Sequence, residues 1–299
     1  MTTHSMKAIT PHLWFDKEAT EAAELYVSSI AESKIKSVRT IYGTPSGDCD
    51  IVSFELAGQP FMAISAGPFF RFNPSVSFQV KCKTVEELNA MWQKLSENGK
   101  VRLPLGAYPF SERYGWTEDR YGLSWQLMFI GGSDIKQKIT PVLTYVGEVS
   151  GKAEEAVHFY ASVFKDPPPR ILARYGKGEE PEHEGTTRYA QFTLRGQEFG
   201  AMDSAREHKF AFNEAISYVV PCDTQEEIDY YWERLSADAN GGQCGWLKDK
   251  YGLSWQITPT IMDQMLGSGD PQGLARVTQA FLKMKKFNIS ELQRAFDGK

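Results

Sequence analysis

The side chains best suited to metal ligation, to proton transfer at neutral pH or to nucleophilic attack are few in this chain and stand apart from one another. They are five histidines (His4, His12, His158, His183, His208) and four cysteines (Cys49, Cys82, Cys222, Cys244). The cysteines show no C-x-x-C spacing and have no companion histidines at ligand spacing, so they read as reduced thiols of a cytoplasmic protein. There is no G-x-S-x-G elbow for a nucleophilic serine and no H-E-x-x-H for a zinc hydrolase. Gly267-Ser268-Gly269 reads as a turn, since no βαβ unit surrounds it, and no strand-linked glycine loop offers a seat to an adenosyl cofactor. The paired acids Glu86-Glu87 and Glu226-Glu227 open expected helices, where their charge favours the helix dipole, and capping explains them better than acid–base catalysis. Asp119 and Asp249, shortly before Tyr-Gly, read as turn formers. What remains is a set of neutral hydroxyl and amide side chains within apolar runs, suited to hydrogen bonding rather than to bond breaking.

Those runs occur twice. Ile9-Thr10-Pro11 returns as Ile139-Thr140-Pro141, and Tyr121 to Gln126 (Y-G-L-S-W-Q) returns unchanged at Tyr251 to Gln256, both at an offset of 130. Between these ends the offset rises to 140, as in Phe72-Asn73 with Phe212-Asn213, Thr84 with Thr224, and Trp92 with Trp232. The second copy therefore carries extra loop residues near Gly176 to Gly185, and a matching deletion before Gly245-Trp246. Six of the seven tryptophans fall into repeat pairs, with Trp14 alone unmatched, so the repeat is structural rather than accidental. The organisation expected is a first domain over residues 1–131, a second over 138–259, and a helical tail over 260–299. Leu274, Val277, Phe281 and Met284 give the tail helical spacing, and Asn288 with Glu291 forms an N-cap pair; the tail is expected to pack across the outer surface of a copy.

In each half-copy the pattern predicts a strand, a helix and three strands, or βαβββ. The first copy reads Ile9–Phe15, a helix over Glu18–Ser29, then Ile35–Tyr42, Ile51–Leu56 and Phe61–Ser65; the second half reads Ser75–Cys82, a helix over Thr84–Ser96 with a T-x-x-E capping box, then strands near Lys100–Leu105, Ser111–Thr117 and Leu123–Phe129. Alternation assigns faces. Leu123, Trp125, Leu127 and Phe129 form an apolar face that helices can cover, and Ser124, Gln126 and Met128 point the other way. By the same rule Ser75, Ser77 and Gln79 oppose Val76, Phe78 and Val80, and Thr10, His12 and Trp14 oppose Ile9, Leu13 and Phe15. A curved sheet with a mixed inner face can line a ligand cavity. The candidate walls are His12, Trp14, Ser75, Ser77, Gln79, Ser124 and Gln126, with Thr140, Thr144, Ser217, Ser254 and Gln256 from the second copy. His12/Val142, Trp14/Thr144 and Ser75/Ala215 differ between copies, so the two cavities are expected to be inequivalent.

The run from Phe212 to Pro259, FNEAISYVVPCDTQEEIDYYWERL followed by CGWLKDKYGLSWQITP, resembles the PhnB-like branch of the vicinal-oxygen-chelate (glyoxalase/bleomycin-resistance/dioxygenase) superfamily, often labelled demethylubiquinone methyltransferase-like. The first copy carries a weaker version, and the tail resembles the ending of long members of that branch. The resemblance implies an α+β fold: a tandem pair of vicinal-oxygen-chelate domains, each of two βαβββ modules forming a curved mixed sheet with helices outside. It also implies where metal-using members hold an ion, on the first, fourth, fifth and eighth strands. There this chain offers Gln126 and Gln256 in place of the usual glutamate, Ser75 and Ala215, an acid-free fourth strand, and Thr10 or His12 against Thr140 or Val142. The expectation is no metal and no cofactor.

A net charge of −5 without a basic stripe argues against nucleic acid, and no apolar run is long enough to span a membrane. Three readings stay open: a metal-free protein that binds a neutral, partly aromatic or planar small molecule; a metal-dependent lyase, isomerase or dioxygenase with unusual ligands; and an interaction protein. Pairing of the two copies inside one chain is expected, with a homodimer as the alternative.

Overall fold

The computed structural model describes residues 7–44, 47–238 and 242–299. His4 lies outside them. The first module is β1 (Thr10–Phe15), α1 (Ala19–Ser29), β2 (Lys34–Thr44), β3 (Gly47–Leu56) and β4 (Gln59–Ser65), and the second is β5 (Val76–Cys82), α2 (Val85–Ser96), β6 (Lys100–Tyr108), β7 (Ser111–Glu118) and β8 (Ser124–Phe129). The third is β9 (Ile139–Tyr145), α3 (Ala153–Phe164), β10 (Arg170–Arg174), β11 (Thr187–Leu194) and β12 (Gln197–Asp203). The fourth departs from the βαβββ expectation. Among the described residues it holds β13 (Ile216–Cys222), α4 (Gln225–Leu235), β14 (Trp246–Lys248) and β15 (Ser254–Pro259), one strand fewer, because the deletion before Gly245 falls where the missing strand would run.

The described residues divide into two compact units, one within 12–216 and one within 217–299 together with 7–11. In the larger unit an eight-stranded sheet runs in the order β10-β11-β12-β9-β5-β8-β7-β6. Its centre is the antiparallel pair β5–β9, with Gln79 opposite Thr140 and Ser77 opposite Val142. The sheet therefore joins the second half of one copy to the first half of the other. The same unit holds β4 parallel to β1 and antiparallel to β3, which pairs in turn with β2. In the smaller unit β15 lies parallel to β13 and antiparallel to β14.

Alternation decides what each sheet buries. Trp125 and Leu127 are fully buried on the helix side of β8, and Trp125 packs against Tyr26 of α1 (5.1 Å between ring centroids) and Phe78 of β5 (5.6 Å). Phe61 joins Phe78 to Phe54, so one aromatic cluster ties four strands to α1. The capping boxes form as spaced: Thr84 Oγ1 accepts from the Glu87 amide (3.1 Å) and Thr224 Oγ1 from that of Glu227 (3.2 Å).

The tail contains α5 (Ile261–Leu266), α6 (Pro271–Phe281) and α7 (Ile289–Asp297), and Asn288 caps α7 through the Glu291 amide. Met284, expected on the helix with Leu274, Val277 and Phe281, lies beyond its end. The Met284 and Lys285 carbonyls instead accept from the Cys244 and Gly245 amides, each at 2.7 Å, and that sheet-like bonding competes with a longer helix.

Candidate functional site

Cross-strand register gathers half of the candidate walls. On one face of the eight-stranded sheet, Gln79 of β5 stands between Thr140 of β9 and Gln126 of β8, with Ser77 beside Ser124 in the neighbouring row. The face is buried, with Ser77 and Ser124 fully enclosed and Gln126 2% exposed, so it does not front bulk solvent. Gln126 is held at both ends of its amide: Nε2 donates to Ser77 Oγ and Oε1 accepts from the Tyr114 hydroxyl, each at 2.7 Å. Trp116 Nε1 donates to Ser124 Oγ at 2.7 Å. Thr140 and Thr144 are buried with hydroxyls that meet no hydrogen-bond partner, and no described residue bonds the Gln79 amide.

Two phenols border this face. Tyr114 is held well above the ordinary phenol range by burial, with Tyr189 and Tyr108 nearby adding to it. Tyr189 is pushed up to about 12, chiefly by burial and then by the Glu198 charge. Gly200 makes room for it, since a Cβ there would sit 2.7 Å from the Tyr189 hydroxyl. Both phenols are thus neutral donors at pH 7. Tyr114 and Tyr189 are absent from the walls read out of the sequence, although alternation with Trp116 along β7 could have flagged Tyr114.

The smaller unit repeats part of this arrangement. Gln256 Nε2 donates to Ser217 Oγ at 2.9 Å, and the buried Ser254 hydroxyl has no hydrogen-bond partner. The residue matching Tyr114 is Cys244, whose thiol is directed at the Phe281 carbonyl (3.5 Å). Gln256 accordingly keeps an Oε1 that no described residue donates to, and it is half-buried where Gln126 is sealed. Three expected walls stand elsewhere. Ser75 precedes β5 and donates to the Ala211 carbonyl (3.3 Å), and His12 and Trp14 lie on β1, opposite Met62 and Ile64 of β4. The Trp14 indole donates to the Gly67 carbonyl at 2.9 Å and packs edge-on to Phe70.

The sequence pattern of the 3-demethylubiquinone-9 3-methyltransferase family matches residues 7–128 and again residues 137–258. The chain belongs to this family. It is the PhnB-like branch of the vicinal-oxygen-chelate superfamily, and the match in both copies accords with the tandem α+β fold. A PhnB protein from Bacillus cereus is similar to one copy, with 37% identity over 41% of this chain and 99% of its own, at a TM-score of 0.39. Glyoxalase I of Zea mays, solved as a single-residue variant, shares the fold at 11% identity, with 88% of this chain and 97% of its own covered at a TM-score of 0.53. Among curated proteins none matches the chain.

Metal-using relatives of this PhnB-like chain would hold a divalent ion at the register positions just described, and the residues here do not fit one. The glutamate position is Gln126, a neutral amide already engaged at both ends. The neighbouring strands supply hydroxyls, a valine and Gly200. Of the carboxylates on this face, Glu198 is held by Lys81 at 2.7 Å and Glu118, opposite Ser124, is paired with Arg102. Among the described residues no three His, Cys, Asp or Glu side chains gather into a ligand set.

His12 behaves as a buried imidazole. It is 4% exposed, and burial lowers its pKa from 6.5 to about 4, so it is neutral at pH 7. Between pH 6.5 and 4 the unfolded chain takes up a proton that the folded chain refuses, so stability falls as the pH drops through that window. At the acid end His12 alone is expected to cost about 3 kcal/mol. Urea unfolding of the His12→Gln variant at pH 7 and pH 4.5 should show a clearly smaller acid loss than the parent; equal losses would rule out this role.

Proposed function

We propose that the buried polar face around Gln79 and Thr140 binds a neutral small molecule with a planar, oxygen-substituted ring, without a metal. The observation that carries this reading is the unsatisfied Thr140 hydroxyl beside a Gln79 amide with no described partner. A buried polar atom left without a hydrogen bond costs about 1–3 kcal/mol, and a ligand oxygen between these groups would recover it. The surrounding donors are uncharged: the phenols are held neutral by burial, the amides carry no charge, and the Glu198 charge is taken by Lys81. A charged ligand would find no counter-charge there, whereas a planar ring with hydroxyl or carbonyl oxygens matches the hydrogen-bonding groups and the rings of Tyr114 and Trp116. The quinone named in the family description is of that class. Methyl transfer itself would require a seat for a methyl donor, and no glycine-rich strand–helix loop in the sequence supplies one. Four free thiols support a reducing compartment such as the cytoplasm, and no described helix is long and apolar enough to cross a membrane.

The test uses duroquinone, whose ring has no open position for thiols to attack, and the carboxylate 2,4,6-trimethylbenzoate as its charged counterpart. Calorimetry should show duroquinone binding and the carboxylate failing. Gln79→Leu should weaken duroquinone about tenfold, the loss of roughly one net hydrogen bond. Preference for the carboxylate, or a near-stoichiometric transition metal in protein purified without chelators, would overturn the reading.

A further inference from the structure

A second cavity opens at the edge of that face, where Glu118 and Lys100 continue the row of Ser124 and Ser77. A cleft of about 560 Å³ opens at the C-terminal end of β1, bounded by the loop after β4 and by the turns before β6 and after β7. None of Ser77, Gln79, Gln126 or Thr140 lines it. The volume falls within the range of small-molecule sites.

Most charges at its rim are already committed. Glu118 is paired with Arg102, and Arg120 reaches Glu97 at 3.0 Å. The Asp119 carboxylate is filled by three N–H donors, and the Tyr121 hydroxyl donates to Glu21. Four charges remain. Arg71 and Lys100 have no ion-pair partner among the described residues; nor has Asp16, and the Glu18 carboxylate accepts only from the Lys17 amide. Two bases and two acids thus share one cleft with an aromatic wall. That wall is rigid, because Trp14 is tied to the Gly67 carbonyl and stands edge-on to Phe70 at 5.1 Å and 82°.

We propose that this cleft binds a zwitterionic aromatic small molecule, with its ring against Trp14 and Phe70, its anionic group on Arg71 and Lys100, and its cationic group on Asp16 and Glu18. A purely anionic ligand would face two unneutralised carboxylates, and a purely cationic one would face Arg71 and Lys100, so only a ligand carrying both signs meets the whole lining favourably. Ring placement against the indole adds apolar contact, and the cationic end gains from proximity to the aromatic wall. This site shares none of Ser77, Gln79, Gln126 or Thr140 with the polar face, and its ligand is separate from the one proposed there.

Three indoles separate the possibilities by calorimetry: L-tryptophan carries both charges, tryptamine lacks the carboxylate and 3-indolepropionate lacks the ammonium. L-tryptophan is expected to bind one to one and about tenfold more tightly than either analogue, the size of one lost charge-assisted contact. Arg71→Ala should abolish the preference over tryptamine, and Asp16→Ala the preference over 3-indolepropionate. Both positions are exposed, so the variants should fold. Gln79→Leu should leave the L-tryptophan isotherm unchanged. Absence of L-tryptophan binding at millimolar concentration, equal affinities for the three indoles, preferences that survive both substitutions, or an isotherm altered by Gln79→Leu would each overturn the proposal.

Discussion

Replacing Asp119 or Asp249 by alanine is expected to destabilise the protein by about 3–5 kcal/mol at either position, far beyond the cost of a lost turn former. Each carboxylate is 3% exposed. Asp119 Oδ1 accepts from the amides of Tyr121 (2.8 Å) and Leu123 (3.1 Å), while Oδ2 accepts from the Trp125 indole at 2.9 Å. Asp249 repeats the set with Tyr251, Leu253 and Trp255, the last at 2.8 Å. Alanine would leave three buried N–H groups without an acceptor in each case, and would release the fully buried tryptophan at the centre of the helix-side core. Asparagine should cost less, because its carbonyl can still serve the turn amides while its NH2 group faces the indole donor. Urea unfolding of the four variants measures this. A loss below about 1 kcal/mol for either alanine variant would return that aspartate to the role of simple turn former.

This pair shows where sequence reading stops. The spacing of Asp119 before Tyr-Gly reveals a turn because a turn is local, but the indole bond reaches across to Trp125 and needs the strand to be in place. Faces were legible for the same local reason: along β8 each side chain must oppose the next, so Trp125 and Gln126 separate without knowledge of any partner strand. Register was not. Gln79 meets Thr140 only because β5 pairs with β9, and two copies of one strand pattern offer each strand an equivalent partner in either copy, which periodicity cannot choose between. The role of the Lys81–Glu198 pair depends on that register and stayed hidden with it, whereas Tyr114 meets Gln126 across the β7–β8 pair of its own copy. Trp14 was assigned to the right face of its strand, yet the indole is claimed by the Gly67 carbonyl, in a loop whose path no pattern in the sequence predicts.

The C-terminal tail gives the second large effect. In the second module β7 is flanked by β6, with Gly106 opposite Tyr114, whereas the described residues of the fourth module include no corresponding strand. The Met284–Phe287 segment takes over its hydrogen bonds through the Cys244 and Gly245 amides, and its position is secured by Gln225, which donates to the Phe287 carbonyl at 3.1 Å and accepts from the Ile289 amide at 3.0 Å. Phe287, 3% exposed, occupies the space above Gly245, where a Cβ would come within 2.5 Å of its ring. The matching Gly115 serves another neighbour, the Trp92 ring at 2.4 Å, so one repeated Gly-Trp pair accommodates two different packings. Phe287→Ala is therefore expected to cost about 3–5 kcal/mol, the range for emptying a buried phenylalanine site. Hydrogen exchange should locate the damage. The Cys244 and Gly245 amides should lose protection in the variant, because their acceptors are anchored by the missing ring, while amides of β5, β8 and β9 keep theirs. Retained protection at Cys244 and Gly245 would mean that the tail merely lies against the module and does not complete its sheet.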